Sequence, residues 1–586
     1  MGSNLDLIIV GVYMCVLVLI GVAFGRLVKS GSDYFRAGAR GSWWMVGSSM
    51  FMSGISAYTF VGNAAGIYKS GWSPFAIYIA NICGFILAAV FLAAWYRQMR
   101  AVTYAEVIKQ RFGKIAEQVV AHLLVLNGFM WAGVGLYTLA VFITPLVPGV
   151  PVQGLIVGVG LIVVAYCTVG GNWAVMANDF VQGLVLIAVT IIVTVFCFIH
   201  AGGIGEFFSA VANSSAASDL KFITPIPEGQ TNWTAKYGLA WVFIAFIIQF
   251  ANQSSLFQGV RYFSAKDGRE AQKASMFAGI LMILGLVVFF VPPIYARIFL
   301  EPEVLAMHEI PAKAMEYSYS VASYHLLPKG TFSIMIVAIF AAAISSLDTG
   351  LNRNAALIIR DLLPAHRKLL RMKPINPGRE VILGKITTVL AGGIVMGIAL
   401  TYSTISNASI FDVMMTIAAQ LIFPQMIPLV MFLFIRKVPK WSILTSLIGG
   451  YIPSLTLWII SMTTGAVFSY QQRGLLVLVG GVAGFLISRL FWNRVSEKDK
   501  AEIQAFYDNM EKPVDFEAEV GEGNDSFQLI MIGRFALLLG VLFLLLLFPV
   551  HTLAGRAVIL SISGFVGGIG LLMTLAGLRI KRKSEG

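Results

Sequence analysis

The sequence predicts an all-α polytopic membrane protein, an inverted five-plus-five helix repeat with discontinuous helices and about 15 transmembrane helices in total. Three observations predict this class. Hydrophobic residues make up 58% of the 586-residue chain and charged residues only 12%, a balance that excludes an ordinary soluble enzyme. Apolar runs of about 20 residues, long enough to cross the roughly 30 Å hydrocarbon layer, recur from end to end. Two of these runs, five spans apart, are interrupted by polar or glycine-bearing sequence at mid-depth. Paired interruptions in corresponding places point to an inverted repeat with a binding site at its midplane.

The first run, Leu5 to Phe24, has neither a basic leader nor a small-residue cleavage site, so it reads as a retained helix. With the loop bearing Arg26, Lys29, Arg36 and Arg40 it forms a peripheral unit over 1–42. The first five-helix repeat, 43–201, holds spans at 43–68, 71–96, 117–145, 151–170 and 177–201. An external loop, 202–236, leads to the second repeat, 237–435, with spans at 237–258, 274–297, 331–359, 382–403 and 409–435. The C-terminal unit, 436–586, adds spans at 441–463, 474–492, 527–549 and 557–579. Between the second and third of these, the acidic, Pro- and Gly-containing segment 493–526 reads as a solvated cytoplasmic linker.

Charge sets the orientation. Every second connection is basic: Arg97, Arg100, Lys109, Arg111 and Lys114; then Arg261, Lys266, Arg269 and Lys273; then Arg367 to Arg379; then Arg436, Lys437 and Lys440. Cytoplasmic loops carry such an excess, which predicts the N-terminus outside and the tail Arg579 to Lys583 inside. The net charge of +13 is therefore a signature of topology and not of nucleic-acid binding. Cys15, Cys83, Cys167 and Cys197 all lie within apolar runs, so no disulfide framework is expected. The six histidines are scattered without ligand spacing. No cluster of His, Cys or acidic residues suggests a membrane enzyme, and no soluble output domain accompanies the spans as a solute sensor would require.

The polar residues inside the spans carry the function. In Ala341 to Gly350, helical spacing puts Ala342, Ser345, Ser346 and Thr349 on one face, with Asp348 one turn beyond Ser345. Small residues alone also permit close helix packing, but hydroxyls and a carboxylate at membrane depth are costly unless they meet protein, water or an ion. Hard oxygen donors suit a small unreactive cation and suit zinc or copper poorly. The first broken helix reads Ser53-Gly54-Ile55-Ser56-Ala57-Tyr58-Thr59 and then Gly62-Asn63-Ala64-Ala65-Gly66. Unwinding there frees carbonyls to line a cavity. A glycine kink would explain this break alone, but not its counterpart at Gln249, Asn252, Gln253, Ser254 and Ser255. Residues placed to face a central cavity are Ser56, Tyr58 and Thr59, Tyr78 and Asn81, Asn127 and Trp131, Gln249, Asn252 and Gln253, and Gln420 and Gln425. Amides and hydroxyls beside aromatics suit a neutral hydroxyl-rich solute such as a sugar or polyol, although each residue also fits a plain helix-joining role.

Several motifs resemble the sodium:solute symporter family, to which the sodium/glucose cotransporters belong. They are Asp33-Tyr34-Phe35-Arg36-Ala37-Gly38, Ile55-Ser56-Ala57, Ala177-Asn178-Asp179-Phe180-Val181-Gln182, Arg261-Tyr262-Phe263-Ser264-Ala265-Lys266-Asp267 with Glu270-Ala271-Gln272, and the Ala342-x-x-Ser345-Ser346 element. The likeness covers about 30–440. It implies a leucine-transporter-type fold and sodium-driven alternating access. It further implies a main sodium site made by the backbone carbonyls of Met52, Ile55 and Ala342 and the hydroxyls of Ser345 and Ser346. In the sialic acid branch a second sodium lies on this helix face with an aspartate of the fifth repeat helix. Asp179 matches that carboxylate, with Asp348 and Thr349 on the face; pairing of Asp348 with Arg353 is the competing reading. The acid-amide pair of the family's sugar carriers is Tyr58-Thr59 here, and Ser-Ala-x-Thr-Phe-x-Gly is closer to the branch carrying sialic acid, monocarboxylates and vitamins. The 117–145 span nevertheless has no arginine in its apolar part to clamp a carboxylate.

The sequence thus predicts a sodium-coupled symporter, acting as a monomer in the plasma membrane (the inner membrane of a Gram-negative host), that imports a small organic solute. A sugar or polyol is favoured, with a carboxylate, sialic acid, amino acid or vitamin as the alternative. The expected partners are the solute, Na+ and the lipid bilayer, with no nucleic acid.

Overall fold

The computed structural model describes residues 13, 15, 16, 19, 20, 23, 36–144, 149–167, 171–328, 330–373, 380–405 and 408–585. Most of the first predicted span, and Asp33-Tyr34-Phe35, lie outside them. The described chain is helical, with a single isolated bridge between Gly41 and Ala265. Eleven of its helices are long and apolar enough to cross a membrane. The predicted spans at 151–170 and 331–359 are represented by shorter apolar stretches, Val152–Ala165 and Phe332–Ile344, and that at 43–68 by a broken helix. The count of about 15 spans is thus an expectation that these helices do not fix.

In order, the helices are α1 (Trp43–Gly54), α2 (Phe75–Gln98), α3 (Lys114–Ile143), α4 (Val152–Cys167) and α5 (Gly171–His200). After the 202–236 connection come α6 (Leu239–Ser254), α7 (Gly268–Phe299), α8 (Phe332–Leu357), α9 (Glu380–Ser403) and α10 (Ile410–Phe434). Then follow α11 (Ser442–Thr464), α12 (Tyr470–Arg489), α13 (Glu497–Glu511), α14 (Asp525–Leu544) and α15 (Leu553–Glu585). Helices α1, α2, α6 and α7 pack as one group, and α3, α4, α8 and α9 as another. Helix α5 lies along both α1 and α8. The second group thus faces the two broken helices of the first.

Prolines explain two contacts that hold this arrangement. Pro292 lacks the N–H that would bond the carbonyl of Val288, and the Tyr319 hydroxyl donates to that carbonyl instead (3.0 Å). Pro424 likewise frees the carbonyl of Gln420, which accepts from Ser454 Oγ on α11 (2.8 Å). The adjoining turn, Ala418–Ile422, is π-helical, and the Leu421 carbonyl accepts from Gln425 Nε2 (2.8 Å) and the Tyr451 hydroxyl (2.9 Å). Helices α11 and α12 then meet backbone to backbone, because a Cβ on Gly449 would stand 2.2 Å from the Gly480 carbonyl.

The segment 493–526 is not the solvated linker its acidity predicts. Ile503, Phe506, Tyr507 and Met510, at i, i+3, i+4 and i+7, form a buried stripe on α13. The Tyr507 hydroxyl donates to the carbonyl of Phe432 (2.7 Å) and accepts from Arg111 Nε (3.0 Å). Beyond α13, Glu519 receives Arg100 through both carboxylate oxygens at 2.8 Å, and Asp525 pairs with Lys266 and accepts from the Ser42 hydroxyl (2.7 Å). Apolar burial and complementary charge fold this segment across the basic loops.

Candidate ion and solute site

Helix α1 stops at Gly54 because Ile55 is extended (φ −112°, ψ 124°). Its N–H turns back to the Met52 carbonyl (3.1 Å). The next residues satisfy the backbone with side chains: Tyr58 N–H donates to Ser56 Oγ (3.2 Å) and Ser56 N–H to Thr59 Oγ1 (3.3 Å). The chain resumes as a π-helical turn, Thr59–Asn63, and a short helix, Ala64–Ser70. Helix α6 breaks in the same manner at Ser255, which is extended (φ −78°, ψ 159°) and whose hydroxyl donates to the Asn252 carbonyl (2.7 Å).

Between these breaks lies a cavity of about 200 Å³. Of the predicted solute residues, Ser56, Tyr58, Tyr78, Asn81, Trp131, Gln249, Asn252 and Gln253 line it. Gln249 Nε2 donates to Asn81 Oδ1 (2.7 Å), Asn63 Nδ2 donates to the Tyr78 hydroxyl (3.2 Å), and Tyr58 meets Trp131 edge-on at 5.9 Å. Thr59 is buried within the break itself. Asn127, Gln420 and Gln425 are not among the lining residues; Gln425 faces Tyr451 on α11 (2.9 Å). Asn63, Ser53, Gln258, Met282, Arg261 and Arg353 line the cavity without having been singled out from sequence as solute residues. For Arg353 the signal was available: Ser346, Gly350 and Arg353 stand at i, i+4 and i+7, one helix face, and all three line the cavity.

Of the predicted ion residues whose side chains are described, Ser346 lines this cavity. Met52, Ile55 and Ala342 are fully or almost fully buried, and α1 packs against α8. Ser346 lines the cavity beside Ser53, Gly54 and Ser56, with its hydroxyl donating to the Ala343 carbonyl (3.0 Å). The side chains of Ser345, Asp348 and Thr349 lie outside the described set. Asp179 on α5 is fully buried, accepts from the Ser49 hydroxyl of α1, and stands 4.0 Å from Arg261 Nη2. It therefore joins α5 to α1 and to the stretch beyond the α6 break. Among the described residues there is no group of three or more His, Cys, Asp or Glu side chains that could hold a metal.

Membrane-length helices packed around one cavity that lies between two helix breaks and is lined by hydroxyls and amides are the architecture of a secondary transporter. The model of the family described as Sodium:solute symporter family matches residues 34–450, and the chain belongs to that family. It is 27% identical over 519 residues to the sodium/sialic acid symporter NanT of Aliivibrio fischeri, covering 86% of this chain and 96% of that one. With the sodium/sialic acid symporter SiaT of Proteus mirabilis it shares 24% over 392 residues, covering 65% of this chain and 74% of the relative. A solved Na+-coupled sialic acid symporter in a substrate-bound outward-open state has the same fold, with a TM-score of 0.67 at 18% identity over 84% of this chain and 98% of that one. The protein is a multi-pass, sodium-coupled symporter, and Na+ is its coupling ion.

Proposed function

We propose that the protein imports a small hydroxylated organic solute, bound in the cavity between the two helix breaks and released to the cytoplasm by alternating access. One observation carries this reading: Ser56, Tyr78, Asn81, Trp131, Gln249 and Asn252 present hydroxyl, amide and aromatic surface to one cavity of about 200 Å³, and Ser346 opens on the same space. That shared space supports coupling, since ion and solute order the same two breaks and each lowers the cost of binding the other. The preference for a neutral sugar or polyol has no advantage over the carboxylated alternative. Both named relatives are sialic acid symporters, and amides and aromatics recognise sugar acids as well as sugars.

In this proposal the main sodium is held by the carbonyls of Met52, Ile55 and Ala342 with the hydroxyls of Ser345 and Ser346. A second sodium at Asp179, with Asp348 and Thr349, shares the Asp179 carboxylate with Arg261 and Ser49 and is therefore held less tightly than a lone carboxylate would hold it. The N-terminus lies outside and the C-terminus inside the plasma membrane, and the monomer is the transporting unit. Uptake into proteoliposomes under an imposed sodium gradient, against a proton gradient alone, tests the reading. Uptake that follows only the proton gradient, or no sodium-driven uptake of sugars, polyols, sugar acids, amino acids or vitamins, would reject it.

A further inference from the structure

The central cavity and a second, smaller cavity of about 40 Å³ share two lining residues, Arg261 and Arg353. The smaller cavity is bounded by Thr103 and Tyr104 from the α2–α3 connection and by Ala356 and Leu357 near the end of α8. These are the ends whose adjoining loops are basic, so it lies on the cytoplasmic side of the solute site. The two arginines thus stand at the waist between the solute cavity and its inner exit. Among the described lining residues of both cavities they are the charged side chains, and both are positive.

Their surroundings differ. Arg261 stands 4.0 Å from Asp179, which balances one charge. Arg353 has the Phe257 face against its guanidinium (4.2 Å), and its Nε has no hydrogen-bond partner among the described residues. The buried Tyr104 hydroxyl, on the same inner cavity, likewise has none. An arginine at membrane depth that lines a cavity, with no carboxylate beside it among the described residues, is costly, and it attracts anions through low-dielectric walls. Its planar fork matches a carboxylate through two parallel hydrogen bonds.

We propose that Arg353, with the Tyr104 hydroxyl beside it, forms an inner anion subsite that receives the carboxylate of the transported solute on its way to the cytoplasm. This rests on the proposed import function and narrows its substrate class to hydroxylated carboxylates, such as sugar acids. The solute lies with its hydroxyls toward Asn81 and Gln249 in the cavity above, and its acid group passes to Arg353 as the inner path opens.

The test uses full-length protein in proteoliposomes and matched probe pairs: glucuronate against glucose, and N-acetylneuraminate against N-acetylmannosamine. The first readout needs no gradient. Phenylglyoxal labelling of Arg353, followed by mass spectrometry, should be slowed by the carboxylated member of a pair at concentrations about tenfold or more below its neutral counterpart. Equal protection by both members overturns the proposal, as does equal protection by chloride or phosphate, which would make the waist an inorganic-anion site. Labelling that rises in Asp348→Asn without solute, and is then indifferent to solute, would show an intramolecular partner and also overturn it. The second readout is sodium-driven uptake. Arg353→Gln should lose the preference for the carboxylated member while its sodium half-saturation stays unchanged, and Arg353→Lys should restore part of that preference. Full preference retained in Arg353→Gln rejects the assignment. Absence of sodium-driven uptake for all four probes counts against the import function, while the labelling comparison still decides the subsite.

Discussion

Single hydrogen bonds decide what the cavity reads. Gln249 Nε2 donates to Asn81 Oδ1 at 2.7 Å, and both side chains line the cavity. Gln249→Ala removes the donor and leaves Asn81 half satisfied, so solute affinity should fall several-fold, about 1 kcal/mol, with sodium activation little changed. Solute titration of the purified variant checks this, and unchanged affinity would place Gln249 in a purely structural role. Ser346 opens on the cavity next to Gly54 and Ser56. Ser345→Ala with Ser346→Ala should therefore raise the sodium half-saturation constant of uptake while the variant keeps its melting temperature within a few degrees. A double variant with the wild-type constant would move the main ion site elsewhere. Asp179 is bound by Ser49 and faced by Arg261, so Asp179→Asn separates two roles. A sodium Hill coefficient that falls towards one in the variant supports a second ion, and a coefficient already at one in the wild type removes it.

At the scale of elements, the breaks and kinks are where neighbouring helices are chosen. Each proline-freed carbonyl takes a hydroxyl from a neighbouring element: Val288 from Tyr319, and Gln420 from Ser454. Leaving such a buried acceptor unpaired costs about 1–3 kcal/mol. Tyr319→Phe and Ser454→Ala should thus lower the thermal midpoint in detergent, with sodium and solute half-saturation unchanged. A variant of normal stability would mean that water takes over the carbonyl. The N-terminal end of α10 is held differently. Glu316 accepts from the N–H of Ile410 (2.8 Å) and lies 3.5 Å from Lys313 Nζ, while two residues on Asp412 accepts from Lys236 Nζ (2.6 Å). Burial raises the carboxyl pKa of Glu316 above its ordinary value, against the pull of Lys313. The charged clasp at this end therefore costs desolvation, and α10 is anchored near its N-terminus by ions and further along by Ser454 and Tyr451.

Across the whole molecule, α13 and the residues after it tie together the basic loops between the membrane helices. Arg100 spans from Glu519 to the carbonyls of Lys512 and Pro513, Arg436 pairs with Glu511 (2.6 Å), and Lys440 pairs with Asp499 (2.7 Å) and with Glu502. Hydrogen bonds from Arg100 hold the Glu519 pKa below the ordinary carboxylate value, and those from Lys440 and Ser496 do the same for Asp499. A carboxylate depressed in the folded state stabilises docking above its unfolded pKa, about 4, and that contribution is lost as pH falls through the lower folded value. For Lys440, burial opposes the charge but its acidic partners outweigh it and raise the pKa. Its contribution is therefore present below the unfolded lysine value, about 10.4, and is lost as pH rises through the folded one. Hydrogen-exchange protection over 497–519, taken relative to the intrinsic rate at each pH, should be high between these limits and fall below about pH 4. In Arg100→Ala the same peptides should exchange faster at neutral pH, with the membrane helices unaffected. Equal protection in wild type and variant would show that the apolar stripe alone holds the segment.

Much of this was legible in the chain. The apolar helices and the two breaks follow from local chemistry, because the bilayer penalises every unpaired backbone or polar group and so leaves a mark wherever one is kept. Eight of the residues chosen for the cavity line it, since amides, hydroxyls and aromatics at the depth of a break have few other uses. What the sequence could not assign is which partner each polar group finds. Gln425 has the same chemistry as Gln249, but Pro424 turns its neighbourhood toward α11. The acidic composition of 493–526 gave the charge of the segment and concealed its docking, which depends on basic loops far away in the chain. Arg353 was visible on the right helix face, but its position at the waist of two cavities exists only once α6 brings Phe257 and Arg261 against α8. Sequence determined which groups must be satisfied, through solvation and helical period; only tertiary packing decided by whom, because those partners lie up to hundreds of residues apart.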